Sequence, residues 1–146
     1  MNAKTCLLLL LAGMSGAPTV VVANDTVLLP LTASRANAGE IAQASLSAYG
    51  QQTSLVITVG GVPATVSQPV HLYTYLYPGS CAQPGAKPAF ALNEVVLPRQ
   101  QTRLGPWILS KQIPLPLNEL RARNYALVLR TAPADGNQTI FCGVLG

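Results

Sequence analysis

One segment of the chain, residues 71–81, constrains the fold more than any other. It reads His71-Leu72-Tyr73-Thr74-Tyr75-Leu76-Tyr77-Pro78-Gly79-Ser80-Cys81. Leucine and threonine alternate with histidine and tyrosine along its first part, which predicts a β-strand with two chemically different faces. The Pro-Gly pair then predicts the turn that ends the strand. A second cysteine, Cys142, lies in the segment 140–143 near the end of the chain. The two cysteines together suggest a β-domain stapled by a disulfide.

The first 23 residues have the pattern of a signal peptide. Lys4 gives a positive start, residues 7–11 form a short apolar run, and the small residue Ala23 ends a cleavage-site pattern. The alternative is an uncleaved membrane anchor, but this run is too short to span a bilayer core of about 30 Å. We therefore expect cleavage after Ala23, which removes Cys6, and a periplasmic or secreted protein with no stable membrane span.

The chain after the leader suits one domain. Residues 24–38 are expected to form an N-terminal arm, part of which pairs as an edge strand. Residues 39–146 contain seven or eight short stretches of strand-like alternation, separated by turn signals. This pattern predicts an all-β, antiparallel β-sandwich or barrel. One further strand is expected at residues 90–97 and one helical turn at residues 117–121.

Composition excludes two broad classes of protein. Hydrophobic residues make up 49% of the chain and charged residues 10%, which argues against intrinsic disorder. The formal net charge is +4, but the basic residues are scattered and form no run. Nucleic-acid binding needs a concentrated basic face, so it is not expected.

Loss of the leader leaves an even pair of cysteines, Cys81 and Cys142. Such a pair is expected to form a disulfide in an oxidising compartment. Two free thiols, or two ligands of a soft metal, are the alternatives. A metal site would need further ligands, and the chain contains a single histidine, His71.

The order of several motifs resembles a known family. The motifs are Pro69-Val70-His71-Leu72, Gly79-Ser80-Cys81, Leu109-Ser110, Leu117-Asn118-Glu119-Leu120, Tyr125-Ala126-Leu127-Val128-Leu129, Asp135-Gly136 and Ile140-Phe141-Cys142-Gly143. Residues 39–144 thereby resemble the Cu/Zn superoxide dismutase-like sandwich and the related CHRD domain. Residues 71–81 and 131–136 resemble in particular small exported bacterial proteins of unknown role within this group. In these families a His-x-His strand precedes a Gly-x-Cys turn, and the last strand ends in Cys-Gly. The resemblance implies an eight-stranded Greek-key β-sandwich in which Cys81 and Cys142 are the structural disulfide.

The family's metal chemistry is not expected in this chain. A dismutase holds copper with several imidazoles and zinc with further histidines and an aspartate. Here His71 matches the first histidine of the pair, and Tyr73 stands at the second position. A phenol is protonated at neutral pH and is a poor substitute. We expect no enzymatic activity and no resident cofactor, with at most a weak, vestigial copper or zinc site at His71.

The tyrosine side of the predicted strand carries Tyr73, Tyr75 and Tyr77 next to His71. Tyrosines suit recognition, because each combines a flat apolar body with a polar tip. Exposed together they would form a binding patch. Alternatively they cover the sandwich rim or pack under the 78–88 loop.

The expected function is a non-catalytic binding or structural module for an unknown protein or cell-envelope partner. The alternative is a degenerate metal-binding protein, with copper as the metal, or a superoxide dismutase-like protein that uses His71.

Overall fold

A computed structural model describes residues 25–99 and 104–146, and the predicted signal peptide lies outside these residues. The described chain forms eight strands, one α-helix and two 3-10 turns. The strands are β1 (Thr26–Ala33), β2 (Ala42–Tyr49), β3 (Gln52–Val59), β4 (Leu72–Pro78), β5 (Phe90–Ala91), β6 (Trp107–Ile113), β7 (Tyr125–Thr131) and β8 (Thr139–Leu145). The helix is α1 (Leu117–Ala122), and the 3-10 turns are Arg35–Asn37 and Pro133–Asp135.

The β2–β3 hairpin illustrates how the alternation in the sequence becomes a two-faced sheet. Leu46 lies opposite Leu55, and both side chains are fully buried. The intervening residues on each strand point away from the core and are partly or fully exposed. The loop needs a left-handed residue, and Gly50 supplies it with φ of +58°.

Every paired strand in the described residues is antiparallel, and the order is β5-β4-β7-β8-β1-β2-β3-β6. The connectivity is of the Greek-key kind, because β6 returns beside β3 and β7 returns beside β4. The two halves of the sandwich share β1, which pairs with β2 through residues 26–31 and with β8 through residues 32–33. The predicted all-β antiparallel fold class is confirmed.

Two expectations about individual strands need correction. The predicted N-terminal arm contains β1, which is an interior strand between β2 and β8 rather than an edge strand. The strand predicted at residues 90–97 is reduced to the two residues of β5. Its ladder is interrupted because the side-chain oxygen of Asn93, rather than a backbone carbonyl, accepts the Thr74 N–H at 2.7 Å.

The core lies between the two halves of the sandwich. The largest fully buried side chains are Leu46, Leu55, Ile57, Leu72, Leu76, Leu109, Ile113, Leu120, Leu127, Leu129, Ile140 and Phe141. Burial of each contributes about 1.5–3 kcal/mol relative to exposure. The helix α1 adds to this core through Leu117 and Leu120, its two buried residues. Because this core fills the interior, a binding site must lie on an outer face of the sandwich or at a sheet edge.

Candidate binding surface on strands β4 and β7

A disulfide between Cys81 and Cys142 holds the 78–88 loop against β8. The two Cα atoms are 5.9 Å apart, and the residues are 61 positions apart in the sequence. The predicted disulfide is confirmed, and its formation excludes free thiols and metal-ligating thiolates at these positions. The turn before Cys81 requires a glycine, because Gly79 has φ of +99° and a Cβ there would lie 2.5 Å from the Gln83 carbonyl oxygen.

The tyrosines of β4 lie on the outer face of the sheet, on the same side as Cys142 of β8. In the register, Tyr75 is opposite Val128 of β7, and Val128 is opposite Cys142 of β8. Tyr77 is buried, and it packs with Ala126, Val128, Tyr75 and Cys142 in a small cluster separate from the main core. Tyr73 and Tyr75 are half-buried. Tyr77 therefore supports the surface, whereas Tyr73 and Tyr75 keep part of their side chains accessible.

Arg130 completes this surface. Its guanidinium carbon lies 5.7 Å from the centre of the Tyr75 ring and 5.6 Å from that of Tyr77, while the two ring centres are 6.0 Å apart. These distances are within the range of cation–π attraction. In the described part of the chain no carboxylate forms an ion pair with Arg130, and its buried Nε has no hydrogen-bond partner. We call Tyr73, Tyr75, Tyr77 and Arg130 the tyrosine–arginine face.

Sequence reasoning found the tyrosines but missed Arg130. The alternation of β7 indicates which of its residues share a face, but it does not reveal which strand lies beside β7. The contact depends on the pairing of β4 with β7, which are separated by β5 and β6 in the sequence. No local signal in residues 125–131 indicates that Arg130 lies over tyrosine rings.

His71 directly precedes β4 and is half-buried. Within residues 25–99 and 104–146, no group of three or more histidine, cysteine, aspartate or glutamate side chains could hold a metal ion. Copper and zinc sites in proteins are built from several imidazole, thiolate or carboxylate ligands. His71 therefore has no assembled ligand set around it in the described chain.

A second site lies where the sheet fails to close, between β5 and β6. Lys111 of β6 points inward, is only 7% exposed, and donates from Nζ to the carbonyl oxygen of Val95. Burial lowers the pKa of Lys111, and the carboxylate of Glu94 partly opposes this effect. The sequence contained a signal for this residue. Lys111 occupies an inward position of the Trp107–Ile113 alternation, where an apolar side chain is expected.

No family model, curated protein or solved structure matches the chain. None of the helices in the described residues is long and apolar enough to cross a membrane. The tyrosine–arginine face offers aromatic rings and a cation that forms no ion pair within the described residues, and the second site offers a buried amine in a cleft.

Proposed function

We propose that the chain is an exported, disulfide-stapled, non-catalytic binding module of the superoxide dismutase-like and CHRD-like sandwich group. Its partner is a protein or another cell-envelope component, which it contacts through the tyrosine–arginine face. One observation carries this proposal. The guanidinium of Arg130 is held by the rings of Tyr75 and Tyr77, yet it has no acidic partner in the described residues.

The chemistry of this arrangement favours recognition. A guanidinium is a planar cation with five donors, and its cation–π contacts with aromatic rings restrict its rotamers before a partner arrives. The entropic cost of ordering Arg130 on binding is reduced accordingly. The half-buried rings of Tyr73 and Tyr75 add apolar area beside it. A partner that presents a carboxylate or another planar acceptor group matches these features best.

The disulfide supports the same function by fixing the surface around Tyr77. Cys142 belongs to the cluster that buries Tyr77, and its bond to Cys81 restrains the adjoining loop. Closing a loop of this length stabilises the fold by about 4 kcal/mol in the chain-entropy model. A disulfide also suits an oxidising compartment, which is consistent with the proposed export. The Greek-key strand order and the link from a loop to the last strand agree with the proposed family.

Site-specific photocross-linking in the native host tests the proposal. A photoreactive phenylalanine analogue is introduced at Tyr73, where it keeps an aromatic body on the surface. The matched control carries the analogue at Gln43, an exposed position of β2 in the other half of the sandwich. A specific cross-linked product from position 73 that is absent from position 43 supports the proposal. Identical products from both positions, or none from position 73, would contradict it.

A further inference from the structure

The sheet is open between β5 and β6, and the gap forms a cleft of about 620 Å³. Phe90 and Leu92 line one side, and Ser110 and Gln112 of β6 line the other. Outside the cleft, the backbone N–H of Arg99 donates to the Ile108 carbonyl oxygen at 2.9 Å. This bond brings the chain after β5 against the first half of β6, so the cleft lies along the second half of β6.

The second half of β6 presents backbone groups to this cleft that no described residue pairs with. The Ile108 carbonyl points away from β3, towards Arg99. In an antiparallel ladder the backbone groups of every second residue point to the same side, so those of Ser110 and Gln112 also point into the gap. No residue in the described part of the chain pairs with them. Such an edge is a template for the addition of another strand.

Lys111 gives this cleft a preference for a negatively charged ligand. Its side chain is almost fully buried, and one hydrogen bond to Val95 uses only one of its three donors. It forms no ion pair in the part of the chain that the structure describes, although the Glu94 carboxylate also lines the cleft and acts electrostatically on it, so an incoming carboxylate would share Lys111 with Glu94. A buried cation at an inward strand position costs stability compared with an apolar residue. Residues that break a local rule in this way are expected at functional sites.

We propose that this cleft binds an extended peptide segment that pairs with the free edge of β6 and delivers a carboxylate to Lys111. An extended residue fills about 160 Å³, which is the product of a rise of about 3.4 Å along the strand, a strand spacing of about 4.8 Å and a sheet spacing of about 10 Å. The cleft therefore holds about four residues. Main-chain hydrogen bonds to Ser110 and Gln112 supply the pairing. The carboxylate is that of an acidic side chain, because the inward-pointing side chains of an added strand lie on the same face of the sheet as Lys111. This site is independent of the tyrosine–arginine face.

Amide chemical shifts in the ¹⁵N-labelled protein test this proposal with three peptides of equal length. They are N-acetyl-tetraalanine with a free carboxylate, its C-terminal amide, and an amidated version with one alanine replaced by glutamate. We expect shifts at the amides of Ser110 and Gln112, and at least about tenfold tighter binding by a carboxylate-bearing peptide than by the uncharged amide. The glutamate peptide should bind more tightly than the peptide with the free C-terminal carboxylate, and the reverse order would overturn the assigned source of the carboxylate.

Lys111→Met provides the matching variant, because methionine retains the length of the buried stem. It should bind all three peptides equally weakly, while Arg35→Met, which removes an exposed positive charge, should behave like the native chain. Equal binding of charged and uncharged peptides by the native chain would overturn the proposal, as would shifts confined to other strands or the absence of shifts. Concentration-dependent shifts at Ser110 without peptide would also overturn it, because the occupant would then be a second copy of the chain.

Discussion

The guanidinium carbon of Arg130 lies 5.6 Å from the centre of the Tyr77 ring, although the register places Arg130 opposite Tyr73. The side chain therefore extends along β4 and past the half-buried ring of Tyr75. Tyr77 is itself buried against Ala126 and Val128. A buried ring thus fixes the position of a cation that has no acidic partner in the described residues.

Removing this cation should weaken the fold measurably. We expect Arg130→Ala to lower the free energy of unfolding by about 1–2 kcal/mol, from the loss of two cation–π contacts of about 0.5–1 kcal/mol each. Arg121→Ala removes an equally charged but exposed side chain and should change stability by less than about 0.5 kcal/mol. Urea denaturation measures both values. Equal losses in the two variants would indicate that the cation–π contacts contribute nothing to stability.

Loss of the disulfide should have a larger effect. We expect the double variant Cys81→Ala with Cys142→Ala to lose about 2–4 kcal/mol of unfolding free energy. The same loss should follow reduction of the native chain, whereas a reductant should leave the double variant unchanged. Denaturation with and without reductant measures this. Peptide mapping under non-reducing conditions provides the control, since it should recover the Cys81 and Cys142 peptides joined.

Lys111→Met should stabilise the protein. The ammonium is buried without an ion pair in the described residues, and methionine has a similar shape without the charge. We expect the free energy of unfolding at neutral pH to rise by about 1–2 kcal/mol. The Val95 carbonyl that loses its donor belongs to an exposed residue and can bind water instead. A decrease in stability would show that Lys111 is a structural residue.

The pH dependence of stability should differ between the native chain and this variant. Because burial lowers the pKa of Lys111 in the folded state, the unfolded chain binds more protons between that lowered pKa and the ordinary value of 10.5. Stability of the native chain should therefore rise with pH through this window and level off above it. The Lys111→Met curve should lack this rise. Parallel curves for the two proteins would contradict the assigned effect of burial.

His71 should not support tight copper binding. A single imidazole next to Tyr73 lacks the several nitrogen ligands that copper sites use. We expect the native chain and His71→Ala to give the same weak response in a Cu(II) titration followed by spectroscopy. Stoichiometric binding that disappears in His71→Ala would instead favour the degenerate metal-binding function.

The sequence predicted the strands whose alternation is regular. Strand β6 is such a case, because its side chains are buried at every second position. Alternation could not predict the shortening of β5, since that depends on the Asn93 side chain replacing a ladder bond. It also could not reveal that β1 lies between β2 and β8, because the position of a strand depends on the path of the whole chain.

The residues of the candidate sites also divide into those that the sequence indicates and those that only the tertiary structure reveals. The pairing of Cys81 with Cys142 was predictable, because removal of the expected leader would leave no other cysteine. Lys111 was detectable from its inward position in β6. Arg130 was not detectable, because its contact with Tyr75 and Tyr77 comes from the pairing of β4 with β7. Local periodicity therefore predicts which residues face outward, while tertiary pairing decides which of them act together.

The most direct test of the tyrosine–arginine face is the yield of the cross-linked product from position 73 in an Arg130→Ala background. Arg121→Ala, which removes an exposed arginine, is the matched control. If Arg130 binds the partner, the yield should fall strongly in Arg130→Ala and stay at the native level in Arg121→Ala. Equal yields in all three proteins, each verified as folded, would contradict the proposed binding surface.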